Sequence, residues 1–126
     1  MPNQRALVIE DDRFISMIEK RVLESLGLTV TQADSLIEAF RQADQADWCL
    51  IILDLHLPDA EGAELLAYVR SHPRFRAAPI LCVSGDEDAT KLIAGLGGVH
   101  LLAKPFQRDT LRKAVLQCLE PFAKVA

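Results

Sequence analysis

Leu50-Ile51-Ile52-Leu53-Asp54-Leu55-His56-Leu57-Pro58-Asp59 is the stretch whose reading decides the fold. An uncharged apolar run ends abruptly on a carboxylate, with Pro58 and then Gly62 following at steps of four. A run that is apolar at every position, rather than at alternate ones, fits a strand buried on both faces. Asp54 then stands at the strand's C-terminal end, where the chain leaves the sheet. In open parallel α/β sheets that edge is where ligands bind.

The flanking sequence repeats the pattern. Ala6-Leu7-Val8-Ile9 is a first short strand, stopped by Glu10, Asp11 and Asp12. Ile15, Ile18, Val22 and Leu26 follow at helical spacing, with Gly27 placed to end the helix. Leu28, Val30 and Gln32 alternate with Thr29 and Thr31, a weaker strand suited to a sheet edge. Asp34 or Ser35 caps a second helix with Leu36, Phe40 and Ala43 on its inner face. Residues 48–53 form the central strand, and Leu65, Leu66 and Val69 mark a third helix closed by Pro73. Pro79-Ile80-Leu81-Cys82-Val83 is a fourth strand, with its proline at the tolerated first position. A short helix with Leu92 and Ile93, a glycine-rich turn through Gly95, Gly97 and Gly98, and a fifth strand over residues 99–103 follow. The last helix carries Leu111, Val115, Cys118 and Phe122, with Asp109 as its expected cap.

Strands alternating with helices imply a mostly parallel sheet covered on both faces, with right-handed crossovers. Parallel strands point the same way, so their C-terminal ends share one edge. Glu10, Asp11, Asp54, Ser84 and Lys104 each fall at or just after such an end, and residues scattered along the chain therefore converge.

Bulk properties set the limits. A length of 126 residues fits one domain over 1–126 with room for a core. The net charge of −4 argues against nucleic-acid binding, which needs a basic patch. No apolar run is long enough to span a bilayer. Cys49, Cys82 and Cys118 lack metal-type spacing and read as buried reduced thiols of a cytoplasmic protein.

The converging groups suit phosphoryl chemistry. Glu10, Asp11 and Asp54 left alone would repel and raise each other's pKa. A magnesium ion, which favours oxygen ligands and one or two carboxylates, relieves that repulsion. Lys104 brings a positive charge on a flexible stem, and Ser84 a hydroxyl able to bond a phosphoryl oxygen. Asp54 in such a setting is able to act as nucleophile, giving an aspartyl phosphate.

Four pieces in order carry a family resemblance: Val8-Ile9-Glu10-Asp11-Asp12; Leu53 through Asp59 with Gly62; Val83-Ser84-Gly85; and Ala103-Lys104-Pro105-Phe106. Together they resemble the response-regulator receiver domain of two-component signalling, across nearly the whole chain. The resemblance implies a flavodoxin-like, doubly wound (βα)5 three-layer sandwich with a five-stranded parallel sheet in the order 2-1-3-4-5. It implies Asp54 as phosphoacceptor, with Ser84 and Lys104 in the family's hydroxyl and lysine positions. It implies Mg2+ held by Glu10, Asp11, Asp54 and the backbone carbonyl of His56, and a cis Lys104-Pro105 peptide. The implied donor is a sensor histidine kinase or histidine phosphotransfer protein. The implied output is a partner or a linked domain, reached through the face of the fourth helix, fifth strand and last helix. The chain departs from the family at Leu101, where many receivers carry an aromatic switch residue three before the lysine. His56 and Asp86, each two residues beyond a site residue, border the path of attacking water in this family and are expected to set the lifetime of the phosphoryl group.

Each residue also has a plainer reading. Asp12 reads only as a solvated acid at a helix start. Serines commonly end strands, Lys104 alone would be a surface lysine, and Trp48, at its strand's far end, is packing. The histidines His56, His72 and His100 form no metal set. A phosphatase with an aspartate nucleophile needs a second acid two residues later, where His56 stands. A flavin carrier needs a phosphate cradle after the first strand, where three acids would repel the ligand. The chain is therefore read as a signalling switch and not a conventional enzyme; the alternative is a receiver-like interaction module that needs no phosphate.

Overall fold

In the computed structural model, residues 4–125 are described, and the side chains of residues 121–125 are excluded from the description. Five strands, β1 (Arg5–Ile9), β2 (Thr29–Ala33), β3 (Trp48–Asp54), β4 (Ile80–Ser84) and β5 (Val99–Ala103), form one sheet in the order β2-β1-β3-β4-β5. Every pairing is parallel, so the expected topology and order hold. Helices α1 (Arg13–Ser25), α2 (Leu36–Gln42), α3 (Gly62–Ser71), α4 (Ala89–Ile93) and α5 (Arg108–Val125) alternate with the strands.

Alternation of Cβ direction along each strand feeds two separate cores. Leu7, Ile9, Ile51, Leu53 and Cys82 pack under α2, α3 and α4, through Ala39, Leu65, Val69 and Ala89. Ala6, Val8, Leu50, Ile52, Leu81 and Val83 pack under α1 and α5, through Val22, Leu23, Leu111 and Val115. β3 sits mid-sheet with both faces covered, which is why its run is apolar at every position. β2, at the edge, is only partly buried, as its weaker pattern implied.

Gly27 adopts a positive φ of 88° directly after the Leu26 cap of α1, a left-handed stop that glycine tolerates best. Ser35, not Asp34, caps α2, its hydroxyl accepting from the Glu38 N–H. Three expectations need correction. Ala39, not Phe40, fills the inner face of α2; Phe40 is exposed and stacks on His72. Asp109 does not cap α5, which starts at Arg108, and instead places its charge in the first turn. Cys49 is half-buried, whereas Cys82 and Cys118 are buried; all three are free thiols. The Phe122 side chain lies outside the described residues. Trp48 is buried, and its indole N–H donates to the Ala43 carbonyl, a packing role.

Candidate functional site

Register brings the predicted residues together. Ile9 pairs with Leu53, so Glu10 and Asp54 are neighbours one step on. Asp54 pairs with Val83, and Ser84 with Ala103, so Ser84 and Lys104 stand beside them. Hydrogen bonds past the strand ends fix this edge: Leu55 N–H donates to the Val83 carbonyl at 3.1 Å, and Lys104 N–H to the Ser84 carbonyl at 2.8 Å. Glu10, Asp11, Asp12, Asp54, His56, Ser84, Gly85, Asp86 and Lys104 line one cleft of about 460 Å³. A groove of about 530 Å³ opens at the opposite end of the sheet, but Arg70, Arg76 and His100 line it and none of the predicted residues does.

Asp54 is 4% exposed. Its Oδ1 accepts the His56 N–H at 3.0 Å, and its Oδ2 lies 3.4 Å from Lys104 Nζ. Lys104 Nζ also donates to Glu10 Oε1 at 2.9 Å, while Glu10 Oε2 accepts the Asp12 N–H at 3.2 Å. Carboxylate oxygens of Glu10, Asp11 and Asp54 lie within 4.8 Å of one another, a set able to hold a hard cation. Burial, and then the neighbouring Asp54, push the Glu10 carboxyl up to about 8 despite Lys104. Lys104 itself loses hydration, but Glu10 and Asp54 outweigh that and raise its pKa. Ser84 Oγ accepts the Asp86 N–H at 3.0 Å, leaving its own proton to donate into the cleft. The Lys104-Pro105 peptide is cis, as the resemblance implied. Leu101 is half-buried and packs with Leu92, Ile93 and Leu96 against the core under α4.

Asp12 has a defined job beyond the expected solvated acid: its Oδ1 accepts the N–H groups of Phe14 and Ile15 at 2.9 and 3.1 Å, capping α1. His56 turns its ring outward, 84% exposed, with Nδ1 2.6 Å from Glu61 Oε2. Two residues escaped the sequence reading. Glu19 of α1 is 0% exposed, and among the described residues neither carboxylate oxygen has a hydrogen-bond partner. Burial first, then the charge of Glu10, push its pKa up to about 9. Its place four after Ile15 and three before Val22, on the apolar stripe, is the signal that marks it. Asp59 reaches across to the start of α2 and accepts the Leu36 and Ile37 N–H groups, each at 2.9 Å. Its partners lie 23 and 22 residues away, so no local pattern reveals them.

Comparison with known proteins agrees with this geometry. Residues 6–116 match the family described as "Response regulator receiver domain". The chain is 30% identical over 113 residues to chemotaxis protein CheY1 of Helicobacter pylori, covering 86% of this chain and 91% of that protein. It is 35% identical over 124 residues to transcriptional regulatory protein KdpE of Staphylococcus aureus, covering 95% of this chain but only 51% of that protein. Among solved structures, the receiver domain of sensor histidine kinase PA1611 from Pseudomonas aeruginosa PAO1 superposes with a TM-score of 0.76 at 26% identity, covering 94% of this chain and 98% of that one. That structure has a magnesium ion coordinated in its active-site cleft.

Proposed function

This chain belongs to the response-regulator receiver domain family of two-component signalling, and on that premise we propose that it is a phosphorylation-controlled switch with Asp54 as phosphoacceptor. One observation carries the reading: the buried Asp54 carboxylate faces a cleft in which Lys104, Ser84 and the Glu10–Asp11 pair all converge. In the proposed reaction an Asp54 oxygen attacks the phosphorus of a phosphohistidine on a histidine kinase or phosphotransfer protein. The P–O bond forms as the P–N bond breaks, and the imidazole leaves with the electron pair.

Glu10, Asp11, Asp54 and the His56 carbonyl would hold Mg2+; the close carboxylate set here and the magnesium in the PA1611 cleft support this. Bound there, the ion supplies positive charge that offsets the charge on the transferring phosphoryl oxygens. With Glu10 engaged in holding the cation, the Lys104 ammonium, 3.4 Å from Asp54 Oδ2, would be available to pair with the phosphoryl group. The Ser84 hydroxyl donates to one phosphoryl oxygen. His56 and Asp86, at the cleft's rim, govern the approach of hydrolytic water. The resulting change is read on the α4-β5-α5 face by an effector protein or a linked output domain. The chain acts as a cytoplasmic switch whose only chemistry is its own phosphorylation and dephosphorylation, and residues 1–126 form one receiver unit. Acidic charge at the site disfavours nucleic acid as a ligand of this chain.

A second reading, a phosphate-independent interaction module, is favoured by Leu101, which offers α4 no hydroxyl or ring at the family's switch position. Intact mass after incubation with magnesium and acetyl phosphate separates the two. One acid-stable, base-labile phosphoryl group on wild type, absent from Asp54→Ala, supports the switch. No gain, with no magnesium binding, leaves the module.

A further inference from the structure

The loop that follows Asp54 is closed on itself. Leu57 N–H donates to the Ala60 carbonyl at 3.0 Å, Gly62 N–H donates to the Leu55 carbonyl at 2.8 Å, and His56 bridges to Glu61 across its neck. Pro58 and Asp59 form its tip. The Asp59 side chain ties that tip to α2: Oδ1 accepts from Leu36 N–H and Oδ2 from Ile37 N–H. These are unpaired donors of the first turn of α2, and the next one, Glu38 N–H, goes to Ser35 Oγ. Asp59 is exposed, so packing does not force the contact; two equal short bonds, one per oxygen, define it.

We propose that Asp59 is a positioning residue for the phosphorylation site, anchoring the loop that carries the His56 carbonyl to the N-terminus of α2. The inference rests on the metal-site reading above. A loop that supplies a backbone ligand must be ordered when the cation binds, and an anchor made during folding removes that cost from binding. Linkage makes the effect reciprocal. If the anchor strengthens cation binding, cation binding must tighten the anchor, so the first turn of α2 senses the loading of the site. That gives the site a second connection, to the helix layer opposite α1 and α5, independent of Leu101.

The test uses magnesium alone as probe. Asp59→Ala is expected to weaken magnesium binding about three- to tenfold, less than loss of a bond made directly to a ligand. Ser35→Ala removes a cap from the same helix without freeing the loop and is expected to leave affinity within about twofold of wild type. Asp59→Asn, which keeps one acceptor oxygen, falls between. In wild type, magnesium should slow hydrogen exchange at the Leu36 and Ile37 amides, a readout that needs no variant to fold. Equal affinities for Asp59→Ala and Ser35→Ala, or exchange at both amides indifferent to magnesium, overturn the anchor. Asp11→Asn separates this from the underlying reading. If it binds magnesium as wild type does, the metal site itself is misplaced and the anchor falls with it. If it loses binding while Asp59→Ala does not, the anchor alone is wrong.

Discussion

Glu19 carries a carboxyl group into the interior with no hydrogen-bond partner among the described residues. Burial penalises its ionised form, and the negative charges of Glu10 and Asp54 add to that. The folded protein therefore holds a proton there up to about pH 9, while the unfolded chain releases it near 4.5. Over that window the native state binds more protons than the unfolded state, so stability falls as pH rises. The slope from this one group reaches about 1.4 kcal/mol per pH unit. Glu10, raised to about 8, contributes with the same sign over the lower part of the window. Asp59 works the other way. Burial raises its pKa, but bonds from Leu36 and Ile37 N–H outweigh that and lower it, so its contribution is present above its unfolded pKa of 3.8 and lost as pH falls below. Glu19→Leu should raise stability at pH 7 by about 1–3 kcal/mol, the cost of a buried unsatisfied polar group. It should also flatten the decline between pH 5 and 9; urea unfolding across pH reads both. An unchanged midpoint at pH 7 would falsify the picture of an uncompensated buried acid.

At the scale of elements, the helices and strands follow from periodicity, and their ends from chemistry the sequence shows less clearly. β3 supplies residues to both cores, so truncation there is felt on two faces. Ile52→Ala, at a fully buried position under α1 and α5, should cost about 2–5 kcal/mol in a denaturant titration. Ser35→Ala should cost about 1 kcal/mol by the loss of one cap bond. α2 is short, and over two turns steps of four and three fit more than one face, so periodicity does not separate Phe40 from the small Ala39 that fills the inner one. An acid near a helix start is equally at home as a cap or in the first turn, where Asp109 sits, so its presence alone does not fix the first residue of α5. Between Ser84 and Val99, α4 spans only Ala89–Ile93 before the glycine-rich turn. Leu92, Ile93 and Leu96 are only partly buried there.

At the scale of the molecule, register makes the site: the four strand ends that matter come from positions 9, 54, 84 and 103, adjacent in a sheet though far apart in the chain. Magnesium should therefore stabilise the whole domain. At ten times its dissociation constant the gain is about 1.4 kcal/mol, or roughly 5 °C in the melting midpoint, and Asp11→Asn should abolish it. A thermal melt with and without the ion checks this, and an equal shift in Asp11→Asn would place the cation elsewhere. The sequence alone determined the alternating architecture, the central strand and the set Glu10, Asp11, Asp54, Ser84 and Lys104. Burial on both faces and the abrupt change from apolar to charged at strand ends are local signals, and parallel strands turn them into one edge. Tertiary structure alone decided that the buried Glu19 carboxyl has no hydrogen-bond partner among the described residues, that Lys104 bonds Glu10 more closely than Asp54, and that Asp59 serves α2. The Asp59 and Lys104 contacts join groups 22 to 94 residues apart, and nothing local to either partner encodes the meeting; the apolar stripe marks Glu19 for burial, but what surrounds its carboxyl depends on the elements packed over it.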